Sequence, residues 1–104
     1  MTGPARVPSA ATAITILPFT NVTSTYVVDN EDCVVNCTSG TFTVTLPTAV
    51  GVEGQYYFIK NSGSGLITVD ADGTETIDGF PNKILAVQNE AIMVVSDGAN
   101  WIIV

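Results

Sequence analysis

Four carboxylates fall close together at Asp70, Asp72, Glu75 and Asp78, inside the run ITVDADGTETIDG. Acidic side chains at alternating positions are the residue type that binds calcium. The spacing does not follow the calcium-loop pattern, however. Counted from Asp70, the sixth position should be glycine and is Glu75; the twelfth should be a bidentate glutamate and is Pro81. The competing reading is a pair of β-turns, in which Asp caps its own turn and Gly73 and Gly79 supply the backbone freedom. The turn reading is the expectation, and no metal or other cofactor is assigned.

Catalytic constellations are missing their central member. The chain has no histidine, so neither a Ser-His nor a Cys-His pair can form. Cys33 and Cys37 stand four apart. On one extended strand they would be roughly 13 Å apart, too far for a disulfide. Two thiols without histidine also fall short of a zinc site. They are expected to be reduced and partly buried. The glycine-rich 61–65 (NSGSG) lacks the Gly-Lys-Ser/Thr ending of a phosphate loop and reads as a hairpin turn. Trp101, Tyr56, Tyr57, Phe58 and Phe80 could form a sugar-stacking platform, but aromatics in a small β domain more often fill a core or an interface. The expectation is a protein that is not an enzyme.

Composition narrows the partners. The 104 residues hold 10 acidic and 3 basic side chains, a formal net charge of −7. The cations Arg6, Lys60 and Lys83 are scattered, whereas phosphate contacts need clustered lysine and arginine. No nucleic acid and no membrane partner is expected. No stretch is long and apolar enough for a membrane helix, and the first residues lack a basic leader region. The sequons at Asn21 and Asn36 are accordingly read as chance matches. Charged residues make up 12% and hydrophobic ones 46%. The charged share is about half the usual ~25%, which points to a tight oligomer or a docked module.

The elements that carry these residues all read as β. Strict alternation over 41–46 puts Phe42, Val44 and Leu46 on one face and three threonines on the other. Further short strands are expected at 26–28, 33–35, 56–60, 66–69, 74–77, 83–87, 91–96 and 101–104, separated by Gly/Asp/Asn turns. That spacing predicts an all-β fold, a small antiparallel β-sandwich or barrel, over residues 23–104. Residues 1–22 contain Pro4, Pro8 and Pro18 and read as an extended N-terminal arm. Its apolar Ile14, Ile16, Leu17 and Phe19 are the candidate docking residues. The two β segments at the end of the chain are apolar on both faces, which makes Met93, Val95, Trp101, Ile102, Ile103 and Val104 the candidate oligomer interface.

Three segments carry a resemblance: 39–51 (SGTFTVTLPTAVG), 57–79 (YFIKNSGSGLITVDADGTETIDG) and 94–104 (VVSDGANWIIV). They resemble a β module of tailed-bacteriophage virion proteins, found in capsid decoration proteins, head fibres and tail fibres. The resemblance implies a structural or attachment protein, usually a homotrimer. A short acidic module with an apolar arm then fits a capsid decoration (cement) protein. Such a protein would be made in the host cytoplasm, bind the major capsid protein or another virion protein on the outer capsid surface, and stabilise the shell. The alternative is a tail- or head-fibre module that contacts host surface glycan.

Overall fold

The computed structural model describes residues 16–104, which form nine β-strands and no helix. They are β1 (Phe19–Val22), β2 (Tyr26–Val27), β3 (Val34–Cys37), β4 (Phe42–Thr45), β5 (Tyr56–Asn61), β6 (Ile67–Asp70), β7 (Asn82–Leu85), β8 (Ala91–Ser96) and β9 (Trp101–Ile103). A five-stranded sheet has the order β1-β3-β5-β8-β9 and a four-stranded sheet the order β2-β4-β6-β7.

Both sheets are mixed, which corrects the expectation of an antiparallel fold. β1, β3 and β5 run parallel, as do β2, β4 and β6. The antiparallel pairs are β6–β7, β5–β8 and β8–β9. Up to β6, successive strands alternate between the sheets, so the chain winds as a coil. A parallel pair needs a crossover connection; here each intervening strand of the other sheet serves as that crossover. Turn residues report that the chain reverses. They do not report whether it returns beside its predecessor or crosses to the facing layer. The 61–65 segment is a case in point: it carries the chain from β5 in one sheet to β6 in the other, so it is not a hairpin turn.

Glycine makes that crossing possible. A Cβ on Gly65 would lie 2.2 Å from the Gly40 carbonyl oxygen, and one on Gly63 would lie 2.9 Å from the Ser39 Cα. The two crossing loops of adjacent coils therefore touch backbone to backbone.

Two boundaries shift from the expected ones. Phe19–Val22 is a sheet strand, so the sheet begins inside the segment assigned to the arm. Pro18 precedes it, a position a strand tolerates, and its carbonyl still accepts the Val34 N–H at 3.0 Å. The expected strand at 74–77 does not form: Thr74 ends a turn, and Ile77 makes only isolated bridges to Phe80 and Trp101.

One core lies between the sheets. The five-stranded sheet sends in Val22, Val35, Cys37, Tyr57, Ile59, Val94 and Trp101, and the four-stranded sheet sends in Val44, Ile67, Val69 and Leu85. Period-two alternation creates this: in β5 and β8 every second residue is buried. Burying each large side chain contributes about 1.5–3 kcal/mol.

Candidate docking face

The carboxylate cluster is occupied by the fold itself. Glu75 accepts the Ala49 N–H on Oε1 at 2.8 Å and the Thr48 hydroxyl on Oε2 at 2.5 Å. Asp78 accepts the Ile103 N–H on Oδ1 at 3.0 Å. Asp72 closes a turn through its carbonyl, which accepts the Glu75 N–H. Among the described residues, no three of these side-chain types are gathered as a metal site would need. Asp97 acts the same way: the Asn100 and Ala99 N–H groups donate to it and hold its carboxyl below the usual range.

Three buried polar side chains went unnoticed in the sequence, and each has a structural task. Asp32 accepts the Thr20 and Tyr26 hydroxyls and the Asp29 N–H, tying β1 to β2. Burial, and then the Asp32 carboxylate beside it, raises the Tyr26 phenol. Asn61 donates to the carbonyls of Gly65 and Leu85 and accepts the Gly63 N–H. Ser96 donates to the Ala49 carbonyl and accepts the Gly98 N–H. Asn61 and Ser96 end β5 and β8, and Asp32 lies in the loop before β3, places where crossing loops leave backbone groups that need partners. For Asn61 and Ser96 the signal in the sequence was only a polar residue at the buried parity of its strand, and Asp32 had none.

Both cysteines are free and buried. Burial pushes the Cys37 thiol up to about 11 and raises Cys33 as well. A thiol held protonated is a poor nucleophile and a poor metal ligand.

Trp101 belongs to the core, not to an interface. It is fully buried, packs on Tyr57 with ring centroids 5.6 Å apart, and donates Nε1–H to the Pro47 carbonyl at 3.1 Å. Ile103 lies on the same side of β9 and also packs on the core. Trp101 therefore leaves the candidate interface, while Ile103 stays half-buried at the rim of the core. The other face of β9, which carries Ile102, is open.

Met93, Val95, Ile102 and Val104 do remain outside, and the register brings more residues beside them. Phe19, Val34, Phe58 and Met93 stand side by side across four strands. Val104 adjoins Met93, to whose carbonyl it donates its N–H. A second row holds Tyr56, Val95 and Ile102. Tyr56 and Phe58 meet edge to face at 5.8 Å. A border row of Asn21, Asn36 and Lys60 closes the face, with the Asn36 amide donating to Asn21. The outer face of the five-stranded sheet is thus an apolar surface crossing all five strands. The five aromatics are split between this face, the core and the exposed turn at Phe80.

The opposite sheet contrasts with it. Its outer rows are Val27, Thr45, Asp70 and Asn82, and then Thr43, Thr68 and Ile84. That is a surface built to face water. Of the expected docking residues in the arm, Ile14 lies outside the described residues. Ile16 is 91% exposed, Leu17 is 36% exposed, and Phe19 sits on β1 at the border of the apolar face.

Charge is sorted along the strands. The loops 28–33, 46–55, 71–81 and 97–100 meet at the end where β2, β4, β6 and β8 finish. Those loops, with Asp70 at the close of β6, hold every carboxylate side chain except Glu90. The apolar face carries none.

The chain matches no protein-family model, and a comparison with curated proteins finds no relative.

Proposed function

We propose that this chain is a bacteriophage capsid decoration (cement) protein, binding the outer capsid surface as a homotrimer and stabilising the shell. The observation that carries the reading is the apolar outer face of the five-stranded sheet, uncharged but for Lys60 at its border. An exposed apolar face of this kind marks an interaction site, here assigned to protein. The side chains able to do chemistry are meanwhile spent on the fold, as Glu75, Asp78, Asp32 and Asn61 illustrate.

The segments behind the virion resemblance also meet in space. The Thr76 N–H donates to Asn100 Oδ1, and the Trp101 N–H donates to the Thr76 carbonyl. TETIDG and SDGANW therefore form one hydrogen-bonded unit, which supports treating them as one module. The two mixed sheets around a single core read as a small β-sandwich. The partners are the major capsid protein or another virion protein, with no nucleic acid and no membrane. The gathered carboxylates favour a position outside the genome compartment. No helix among the described residues is long and apolar enough to cross a membrane.

Heads assembled without the protein provide the test. Added protein should co-sediment with them at a saturating stoichiometry and raise the temperature at which they release DNA. Unchanged release with no co-sedimentation would overturn the reading. The fibre alternative draws on the pairing of exposed Tyr56 with half-buried Phe58. It predicts glycan binding that is lost in Tyr56→Ala, with no effect on heads.

A further inference from the structure

We infer that further copies of this chain close the outer face of the five-stranded sheet, one half of the face packing on the other half of the next copy. The inference takes its copy number, three, from the proposed function; the face itself is read from the fold.

Charge selects the occupant. A chain of net charge −7 can pack on itself only where its carboxylates stay out of the contact. This face meets that condition, because the carboxylate side chains lie in the end loops or, as with Asp70, on the other sheet. The one cation, Lys60, stands in the polar border row, and its Nζ donates to the Asn89 carbonyl at 3.3 Å. A charged partner would find nothing to pair with on such a face. An identical face matches it and needs no ion to be stripped of water.

Geometry selects the manner. The face has two unlike halves. The β1/β3 side presents Phe19 and Val34, and the β8/β9 side presents Met93, Val95 and Ile102. Tyr56 and Phe58, on the central strand β5, stand between them. A closed ring of three uses a heterologous contact, in which one patch meets a different patch on the neighbour. Two unlike halves on one face provide that pair. The edge of β9 is already engaged by its own chain: Trp101 donates to the Thr76 carbonyl, Asp78 N–H donates to the Trp101 carbonyl, and the Ile103 N–H donates to the Asp78 carboxylate. Copies therefore join through side chains on the face and not by adding strands at β9.

The test uses the full chain alone in sedimentation at micromolar concentration. The wild type should sediment at three times the chain mass. Met93→Glu should sediment as a single chain with an unchanged β circular-dichroism spectrum, while Thr68→Glu on the opposite sheet should keep the assembled mass. A wild-type chain that sediments as a monomer, or a Met93→Glu chain that keeps the full mass, overturns the inference. Should Met93→Glu fail to fold, cysteine pairing decides. Chains with Val34→Cys mixed with chains with Ile102→Cys should link on oxidation, whereas linking of Val34→Cys to itself would overturn the half-on-half arrangement. Failure to bind heads would sink the proposed function and leave these outcomes unchanged.

Discussion

The Asp78 carboxylate and the backbone N–H of Ile103 are hydrogen-bonded at 3.0 Å, across 25 positions of sequence. The contact fixes the turn at 78–81 to the edge of β9, and Asp78 holds a left-handed backbone with φ 51° to make it. Asp and Asn tolerate that conformation better than other non-glycine residues. Asp78→Ala should lose about 1–2 kcal/mol in urea unfolding, mainly from the positive φ that alanine must hold, since water can replace the exposed bond. Asp78→Asn keeps an acceptor oxygen and the tolerance, and should lose less than about 1 kcal/mol.

Trp101→Ala should destabilise the single chain itself, by about 3–5 kcal/mol, because it empties the centre of the core. Trp101→Phe keeps most of the apolar volume and removes the bond to the Pro47 carbonyl. Its expected cost is about 1–3 kcal/mol. Thermal unfolding of an assembly-deficient background, Met93→Glu, separates this effect from any loss of association.

Gly65→Ala should be among the most damaging single-methyl changes, since the new Cβ would meet the Gly40 carbonyl at 2.2 Å. Backbone must move to admit it, at a cost of about 1–3 kcal/mol or more. Gly73→Ala is the comparison. Its Cβ would meet nothing within 4 Å, and only the positive φ of 54° opposes it. Its cost should be near 1 kcal/mol. Equal midpoints in urea for the two variants would contradict the close approach of the loops.

Asn61→Ala leaves the carbonyls of Gly65 and Leu85 and the Gly63 N–H without their partner. A loss of about 2–4 kcal/mol is expected. Hydrogen exchange should speed up at Gly63 while the centre of β3 stays protected.

Cys37 makes stability depend on alkaline pH. Its thiol titrates at about 11 in the fold against 9.0 for the free group. Between these values the unfolded chain has released the proton and the folded chain still holds it, so stability falls as pH rises. The contribution is fully present below pH 9 and is lost by pH 11, on the order of 2 kcal/mol. Cys37→Ala should flatten that part of the wild-type pH profile. Parallel profiles would show that the thiol is not held protonated.

Strand positions were legible where alternation was long enough to fix a face. The 41–46 run illustrates this and is a strand close to the expected bounds, whereas 91–96, apolar on both faces, was legible as a strand only from the turn residues that bound it. β1 was hidden because Phe-Thr-Asn-Val is short and follows a proline. The parallel winding was hidden for another reason: period two names the buried face of a strand but not its neighbours. Trp101 was misplaced by the same limit. An apolar run on β9 cannot show that one face already covers the core and the other does not. The docking face was half visible, as Met93, Val95, Ile102 and Val104. Phe19, Val34, Tyr56 and Phe58 joined it only once the register aligned five strands.

The sorting of carboxylates to one end gives the molecule an electric polarity. The longest strands, β5 and β8, are about 20 Å long, roughly two and a half screening lengths in physiological salt. The carboxylate-poor end is therefore shielded from the field of the other. A molecule drifting toward any negatively charged body will be turned so that its neutral end leads and its acidic end trails. Lowering the ionic strength will sharpen that alignment, and raising it will erase the preference and leave the apolar face unaltered.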